Sequence, residues 1–518
     1  MSDVTPDHAE EELADQLDDA VPSRGYQMTP LVGLGGSAGA IPGLQTLLKG
    51  IPADSGLAFV VILHLSPEHE STLAELLQRS TGLQVAQARE NQQIRPGHVY
   101  VIPPAKAIRA VDGHLRLADD QLSPRGRHVA IDLFFRTLAD THGPHAAAVV
   151  LSGADGDGAI GIKRIKERGG LTIAQDPDEA EHGSMPRTAV ATGMVDWVLP
   201  VAEIAPRLLE YFERGKILKL PPEEGPHPAE PGAVALSDEE AGLREVLVFL
   251  RARTGRDFSY YKRATVVRRI ARRMQVNAVD DLPAYLNCLR TRPGESAALL
   301  QDLLISVTNF FRDADCFTVL QAHLGEMFRD KGPNHTVRVW VPACATGEEA
   351  YSLAILLSEK ARSMEAPPAI QIFATDLDED AIRDARDGSY PSTIEADVSE
   401  ERLRRHFVKE HRGYRVRREL REIVLFAQHD LLKDSPFSRL DLVSCRNLLI
   451  YLNRSAQQRA LETFHFALVP HGQLFLGSSE SVEDASLLFT VLDKKSRLFM
   501  QRPVRSRAPT PLGPSTLA

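Results

Sequence analysis

Three residue types in the first third of the chain have the order and surroundings of a nucleophilic hydrolase. Ser37 lies in the run LVGLGGSAGA, where glycines on both sides of the serine permit a sharp strand-to-helix turn. His64 directly follows one apolar run, and Asp155 and Asp157 lie just past another. A serine hydroxyl attacks well only when an imidazole takes its proton and a carboxylate orients that imidazole. These residues predict a Ser-His-Asp hydrolase, with a glycine-rich phosphate loop beside an unrelated histidine as the alternative.

The elements that must position these residues have the pattern of buried parallel strands. Each candidate stands just past the carboxyl end of a predicted strand, where open α/β sheets collect their ligands. Strand-like and helical runs alternate over residues 27–215, as a doubly wound parallel sheet requires. The chain order Ser, His, Asp differs from the Ser, Asp, His order of the α/β-hydrolases, so the turn around Ser37 does not assign the chain to that class.

A second candidate site follows two predicted strands in the C-terminal half. The strand VRVWV leads into a loop with Gly347 and then a helix, and the next strand, IQIFA, ends beside Asp376. An acid at the tip of the second strand is where nucleotide-binding sheets hold ribose hydroxyls. The loop lacks the glycine cluster or Walker lysine that holds pyrophosphate, which favours an adenosine ligand without phosphates, S-adenosylmethionine above all. The alternative is an ordinary turn in which Asp376 caps a helix.

One predicted helix, in the segment 262–275, is unusually basic. Its apolar residues form one stripe at helical spacing, and four arginines share the opposite side. We term this set the arginine face: Arg268, Arg269, Arg272 and Arg273. Its charge density predicts an acidic partner, either a protein helix or a nucleic acid backbone. The net charge of −10 and the lack of interleaved aromatic residues favour a protein partner.

Length and composition indicate a globular protein with two large domains. The 518 residues are 43% hydrophobic and 25% charged, and no apolar run approaches the roughly 20 residues of a membrane span. The four cysteines lie in the second half without a C-x-x-C pair, which argues against a disulfide framework and against a zinc site, so no metal is expected. Because the acidic N-terminus is not a signal peptide, we expect a cytoplasmic protein without membrane insertion.

Composition shifts set the expected domain boundaries. A proline-rich stretch has the composition of a semi-rigid linker, and Ser237 with Glu240 forms a capping box that begins a new helix. The predicted order is a disordered acidic tail (1–26), a doubly wound domain (27–215), the linker (216–236), a second α/β domain (237–503, with a helical part 237–325 and a cofactor-binding part 326–503) and a disordered tail (504–518).

Longer motifs resemble two chemotaxis enzyme families. Residues 28–205 resemble the catalytic domain of CheB-type protein-glutamate methylesterases, through SGADGDG, RPGHVYVIPP and AQDPDEAEHGSMPRTAVATGMVDWVLP. Residues 240–503 are similar to CheR-type chemoreceptor methyltransferases, through SVTNFFRD, ACATGEEAYS, ATDLDEDAIRDARDGSY, SCRNLLIY and GQLFLGSSES. The stretch 404–426 resembles the small β insertion with which some members grip receptors. The resemblance implies an α/β protein with two domains. The first is a doubly wound parallel-sheet esterase. The second is a helical subdomain followed by a Rossmann-like S-adenosylmethionine-dependent methyltransferase with a small β insertion.

The resemblance implies functional residues in both halves. In the esterase half they are Ser37 as nucleophile, His64 as base and Asp157 as orienting acid. In the methyltransferase half the implied cofactor-binding residues are Ser306, Thr308, Arg312, Glu348, Asp376, Asp430, Leu431, Arg446 and Asn447. Arg312 and Tyr451 would also place the substrate carboxylate, and the arginine face would dock the acidic receptor helix.

Two positions depart from the methyltransferase pattern. Position 306 is Ser where the family has Asn, and position 430 is Asp where the family has Asn beside the adenine. A carboxylate accepts hydrogen bonds but has no N–H to donate, so one contact with the cofactor is lost. We expect weaker cofactor binding, by roughly 1–3 kcal/mol if the partner atom stays unsatisfied.

The implied protein is bifunctional. It methylates receptor glutamates from S-adenosylmethionine and hydrolyses the resulting glutamyl methyl esters, and the same hydrolytic chemistry would deamidate glutamine. The implied partners are the cytoplasmic helices of methyl-accepting chemoreceptors or a related sensor kinase, and no nucleic acid. Two alternatives stay open: a signalling scaffold with partly decayed catalysis, suggested by Ser306 and Asp430, and a nucleic-acid methyltransferase with an accessory hydrolase, suggested by the basic helix.

Overall fold

The structure is a computed structural model that describes residues 28–63, 72–119, 129–223, 237–304, 307–410, 413–482 and 485–503. Both predicted tails and most of the predicted linker lie outside the described residues. By chain range, the molecule divides into two compact units. The first contains Met1–Pro221, Leu236–Val246 and Val267–Asp302, and the second contains Pro222–Ala235, Leu247–Val266 and Leu303–Ala518.

The first unit is built on parallel strands with helices between them, as the alternating pattern predicts. Its strands are β1 (Leu31–Gly36), β2 (Ala58–Leu63), β3 (Gln84–Gln87), β4 (Gln92–Gln93), β5 (His98–Val101), β6 (Lys106–Val111), β7 (His114–Asp119), β8 (Ala146–Val150), β9 (Leu171–Gln175) and β10 (Trp197–Leu199). Its helices before residue 221 are α1 (Ala40–Lys49), α2 (Leu73–Gln78), α3 (Ala130–His142), α4 (Ala159–Glu167), α5 (Ser184–Ala191) and α6 (Val201–Gly215).

Seven of these strands form one sheet in the order β10-β9-β8-β1-β2-β5-β3, and every neighbouring pair is parallel. The central strands β1, β2 and β8 are buried along their whole length, because helices cover both faces of a doubly wound sheet. Strands β4, β7 and β6 form a separate small antiparallel sheet. The predicted doubly wound parallel sheet is confirmed.

A helical part follows, with α7 (Asp238–Thr254), α8 (Arg263–Val276), α9 (Leu282–Thr291) and α10 (Glu295–Leu304). Helix α7 begins after Ser237, whose Oγ accepts a bond from the Glu240 N–H at 3.3 Å, half of the predicted capping box. The apolar stripe of α8 is buried, as its helical spacing predicts. The boundary between the two units falls inside both α7 and α8.

The second unit contains the other α/β sheet. Its helices are α11 (Ala314–Met327), α12 (Glu348–Arg362), α13 (Glu379–Asp387), α14 (Glu400–His406), α15 (Arg418–Glu422) and α16 (Arg454–Ala467). Its strands are β11 (Thr336–Pro342), β12 (Ala369–Asp376), β13 (Ser389–Pro391), β14 (Phe407–Glu410), β15 (Gly413–Val416), β16 (Val424–Gln428), β17 (Leu440–Cys445), β18 (Leu468–Leu476), β19 (Phe489–Asp493) and β20 (Leu498–Gln501).

The large sheet of this unit has the order β16-β12-β11-β17-β18-β20-β19. Its first five strands are parallel, and β20 and β19 close it in antiparallel pairs. Trp340 on β11 is fully buried in the sheet, and its indole N–H donates to Thr375 Oγ1 at 3.0 Å. Strands β13, β15 and β14 form the small antiparallel sheet that the predicted β insertion requires, so this part of the fold is also confirmed.

Candidate active sites

Ser37 occupies the turn between β1 and α1. The neighbouring loop after β8 holds this turn, because the Ser37 N–H donates to Ser152 O at 2.9 Å and Ser152 Oγ donates to Ala38 O at 2.9 Å. Gly39 has a left-handed backbone with φ of 75°, and a Cβ there would lie 2.8 Å from the Cβ of Glu181. Ser37 therefore lies half-buried at the carboxyl edge of the sheet, on a turn whose backbone conformation favours glycine at position 39.

Asp157 lies in the same loop as Ser152 and is buried. Its carboxylate accepts the N–H groups of Ile131 and Asp132, both at 2.9 Å, in the first turn of α3. Helix N-termini have N–H groups without intrahelical partners, so the carboxylate and the helix satisfy each other. Asp155 contributes differently, since its Oδ1 accepts the Asp157 N–H at 3.1 Å and shapes the loop. The structure thus places Asp157 on the loop that also bonds the serine turn.

His64, the third member of the predicted triad, lies outside the described residues. The last described residue before it, Leu63, pairs in register with Gly36 at the end of β1. Its assignment as base therefore stays a prediction. A second histidine that the sequence analysis did not single out lies in this region: the His182 N–H donates to Ser152 Oγ at 2.9 Å, and the side chain is exposed.

Asp376 stands at the end of β12, beside the loop that follows β11. Its Oδ2 accepts the Ala345 N–H at 2.8 Å and its Oδ1 accepts the Asp378 N–H at 2.9 Å. Burial raises the pKa of Asp376 to about 6, although these N–H groups oppose the shift. The strand tip and the loop are therefore joined by this carboxylate, as a nucleoside site of this kind requires.

The loop turns into α12 at Gly347, which has φ of 92°. A Cβ at Gly347 would lie 2.9 Å from the Cβ of Ala385, so a larger residue does not fit without a shift. Glu348 is buried at the start of the helix and accepts a bond from Thr346 Oγ1 at 2.6 Å. The carboxylates of Glu348 and Asp376 suit the hydroxyls and the ammonium group of S-adenosylmethionine, so the residues present fit that cofactor.

Arg446 and Asn447 hold the chain after β17. Arg446 donates to Arg312 O at 2.8 Å and pairs with Asp313 at 2.7 Å, and its side chain is fully buried. The Asn447 N–H donates to Glu480 at 3.0 Å, from a left-handed backbone with φ of 60°. These bonds of both residues join segments of the second unit, and their assigned cofactor contacts stay predictions.

The other assigned residues are distributed over the second unit. Asp430 Oδ1 accepts the Leu432 N–H at 3.0 Å, and its Oδ2 lies 3.4 Å from Lys433 Nζ, so this carboxylate bonds its own loop. Ser306 lies outside the described residues. The remaining assigned residues are half-buried: Thr308, Arg312, Leu431 and Tyr451.

Two acids near these residues, the half-buried Glu349 and the buried Glu480, were missed by the sequence analysis. Glu349 accepts a bond from Ser444 Oγ at 2.6 Å, and burial raises the pKa of Glu349 to about 7. Glu480 accepts N–H groups of Gly477 and Leu449 at 2.6 and 2.7 Å, and burial raises its pKa. Both acids lie inside the motifs named above, but the sequence gives no sign that the pKa of a motif acid is raised.

The helical part also contributes to this region, which the sequence analysis did not anticipate. Arg256 donates to Leu377 O at 2.9 Å, directly after Asp376, and the Lys262 N–H donates to Tyr451 O at 2.8 Å. Residues 256–262 therefore bond both the β12 tip and the segment after β17.

The arginine face is not the exposed surface that the sequence predicts. Arg269, Arg272 and Arg273 are buried, with 6%, 2% and 8% of their surface exposed, and only Arg268 is exposed. The reason is that other parts of the first unit supply acids and carbonyls that bond these guanidinium groups. Burial therefore contradicts the predicted exposure of these three arginines, and the docking role of the arginine face stays a prediction. Over the described ranges, the structure has no helix with the length and apolar character of a membrane span.

Family models match nearly the whole described chain. They are the CheB methylesterase model over residues 32–208, the all-alpha domain of CheR methyltransferase over 241–304, and the SAM binding domain of CheR methyltransferase over 306–498. The chemotaxis protein methyltransferase of Escherichia coli is 34% identical over 50% of this chain and 90% of its own length. A protein-glutamate methylesterase/protein-glutamine glutaminase of Pseudomonas fluorescens is 36% identical over 36% of this chain and 55% of its own length.

A longer protein matches both halves at once. An uncharacterized 104.1 kDa protein of Rhodobacter capsulatus is 38% identical over 82% of this chain. The match covers 46% of that protein, so the chain spans about half of this relative's length.

Proposed function

The chain belongs to the CheB methylesterase and CheR methyltransferase families, and from this premise we propose that one polypeptide both writes and removes methyl esters on glutamate side chains of a chemoreceptor. The observation that carries the proposal is that one chain holds both a serine turn bonded to an aspartate loop and a strand-tip aspartate beside a glycine loop. A cytoplasmic location and a receptor helix or related sensor kinase as partner belong to the same proposal.

In the esterase half, Ser37 attacks the ester carbonyl while His64 takes its proton. Asp157, fixed by the first turn of α3, orients the imidazole. The C–O bond to the methoxy group breaks, and His64 returns the proton so that methanol leaves. Water then attacks the acyl-serine with the same proton transfers, which releases the glutamate and restores Ser37. An amide in place of the ester would release ammonia and so deamidate glutamine.

In the methyltransferase half, the chain binds and orients its two ligands. S-adenosylmethionine, when bound, supplies the methyl group. Asp376 would accept ribose hydroxyl bonds, Glu348 would hold the ammonium group, and Asp430 with Leu431 would lie beside the adenine. Arg312 and Tyr451 would place the glutamate carboxylate. Such catalysis depends on positioning and on exclusion of water rather than on an acid or base.

The test uses the Ser37→Ala chain, which cannot remove the ester. It is incubated with methyl-labelled S-adenosylmethionine and receptor-rich membranes, and label that alkali releases as methanol is counted. We expect such label on receptor glutamates, and none when Asp376→Ala is added. No label despite measurable cofactor binding would contradict receptor methylation and favour the scaffold alternative. Methylation of RNA instead would favour the nucleic-acid alternative, which the burial of three arginines already weakens.

A further inference from the structure

Residues 256–262, a short segment of the helical part, are bonded to the strand tip that carries Asp376. Arg256 Nη2 donates to Leu377 O at 2.9 Å, one residue after that carboxylate. The segment and the strand tip both belong to the second unit. Because Asp376 is the assigned contact of the ribose hydroxyls, a segment bonded directly beside it borders the nucleoside part of the candidate site.

The same segment pairs with the chain after β17 on both sides of Tyr261. The Lys262 N–H donates to Tyr451 O at 2.8 Å, and the Asn453 N–H donates to Tyr260 O at 2.8 Å. These two bonds form an antiparallel bridge at Tyr261. The backbone of Tyr261 is therefore fixed next to a residue that is assigned to the substrate carboxylate.

The side chain of Tyr261 is buried beside the assigned cofactor residues. Only 7% of Tyr261 is exposed, and its ring packs edge-on against Phe258 with 5.1 Å between the ring centroids. Burial raises the pKa of Tyr261, and the charges of Asp376 and Asp430 raise that pKa further. The phenol is therefore within electrostatic reach of both carboxylates, and it keeps its proton at neutral pH.

The phenol has a hydrogen-bonding capacity that the two carboxylates lack. An ionised Asp only accepts hydrogen bonds, whereas a phenol also donates one. Adenosine presents both kinds of group, because its amino group and hydroxyls donate while its ring nitrogens accept. Asp376 and Asp430 suit the donors of such a ligand, and the protonated phenol of Tyr261 suits an acceptor.

We propose that Tyr261 is a further cofactor-binding residue, whose hydroxyl donates a hydrogen bond to an acceptor atom of the adenosine part of S-adenosylmethionine. In this role it supplies a donor that position 430 lacks, because that position is Asp. The inference rests on the proposed function, since it requires the methyltransferase half to bind this cofactor. It deepens that function by assigning part of the nucleoside site to the helical part of the chain.

The test measures ligand binding to the full chain with the substitution Tyr261→Phe, which keeps the ring that packs against Phe258 and removes only the hydroxyl. Calorimetry gives the Kd for S-adenosylhomocysteine, and competition gives the Kd for methylthioadenosine, which lacks the amino acid part. We expect both Kd values to rise by the same factor, roughly threefold to tenfold, for the loss of one hydrogen bond between neutral groups.

Tyr414→Phe is the matched control. Tyr414 is another buried tyrosine of the second unit, and its hydroxyl donates to Glu395. The control therefore also removes a phenol and one of its bonds, but from the small antiparallel sheet and not from the residues assigned to the cofactor. The Kd for S-adenosylhomocysteine should equal that of the wild-type chain.

The two ligands separate failure of this inference from failure of the proposed function. A Kd for S-adenosylhomocysteine that is equal in Tyr261→Phe and wild type would overturn the inference alone. A rise for S-adenosylhomocysteine without a rise for methylthioadenosine would place the hydroxyl at the amino acid end and overturn it as well. If the wild-type chain binds neither ligand, the proposed methyl transfer is contradicted and the inference fails with it.

A second measurement needs no variant and applies if Tyr261→Phe does not fold. Amide hydrogen exchange of the wild-type chain is followed by mass spectrometry with and without S-adenosylhomocysteine. We expect exchange at residues 256–262 to become at least about tenfold slower with the ligand, because a bound ligand opposes local opening of the segment that contacts it. Unchanged exchange there, despite binding, would overturn the inference.

Discussion

The two sites of this chain are built on similar sheet edges but by different means. In the esterase half, one loop after β8 bonds the serine turn and contains Asp157, the predicted orienting acid, so the loops of two adjacent parallel strands hold the candidate site together. In the methyltransferase half, the candidate site draws on several separate segments and on acids whose pKa values are raised, Asp376 and Glu349. The first arrangement suits covalent chemistry at one atom, and the second suits binding spread over many contacts.

Among the substitutions that test this difference between the two sites, we expect the largest loss of activity at Ser37. Ser37→Ala removes the nucleophile and should lower ester turnover on the order of a millionfold, as expected when a triad loses its serine. Methyl transfer should be unchanged, because Ser37 belongs to the first unit alone. Ser184→Ala, an exposed serine at the start of α5, is the control. An ester hydrolysis rate close to wild type in Ser37→Ala would rule out the assigned nucleophile.

The next largest loss of ester turnover should show which of two histidines, His64 or His182, is the base. His64→Ala should lower ester turnover by about four to six orders of magnitude, because the serine then lacks its base. His182→Ala should retain most of the activity, since the His182 bonds to Ser152 and Gly153 come from its backbone. Steady-state hydrolysis of a glutamyl methyl ester measures both variants. The opposite ranking would make His182 the base.

In the methyltransferase half, a single substitution should have a smaller effect, because many residues contribute to cofactor binding. Asp376→Asn should raise the Kd for S-adenosylhomocysteine by about tenfold to a hundredfold, the loss of a charge-assisted bond of roughly 1.5–3 kcal/mol. Calorimetry measures the Kd, and Asp380→Asn, exposed in the first turn of α13, is the control. Equal Kd values for both variants would show that Asp376 does not contribute to cofactor binding.

The same carboxylate predicts a pH dependence. Burial raises the pKa of Asp376 to about 6, so the ionised form that accepts ribose hydroxyls is lost as the pH falls through that value. The Kd for S-adenosylhomocysteine should be flat above about pH 7 and should rise, at most about tenfold per unit, below pH 6. In Asp376→Asn this rise should disappear. A rise that persists in the variant would assign the titration to another group.

The smallest effect is expected at Asp430. Its carboxylate bonds Leu432 and Lys433 within its own loop, and it has no N–H to donate to an adenine. Asp430→Asn should lower the Kd for S-adenosylhomocysteine, by a few-fold to about tenfold. Asp434→Asn is the matched variant, because the Asp434 side chain accepts the Asp430 N–H. An unchanged Kd in Asp430→Asn would mean that residue 430 does not contact the cofactor.

Much of the fold follows from sequence because its signals are local. Apolar runs bounded by glycine predict β1, β2 and β8, and the turn at Ser37 follows from the glycines that flank it. The partners of the arginine face, in contrast, are not predictable from local sequence. Helical spacing predicts that Arg269 and Arg272 lie opposite the apolar stripe of α8, but their partners Lys166, Glu167 and Asp302 are some 30 to 100 residues away in the chain. Sequence periodicity does not predict such long-range partners, and it could not reveal the raised pKa of Glu349 either.

The central claim is that one chain adds and removes the same methyl ester. The most direct measurement is the release of labelled methanol at neutral pH from methyl-labelled S-adenosylmethionine, receptor-rich membranes and the wild-type chain. The account predicts steady release that stops in both Ser37→Ala and Asp376→Ala, with label accumulating on receptor only in Ser37→Ala. Release that continues in Ser37→Ala, or label that accumulates in neither variant, would contradict it.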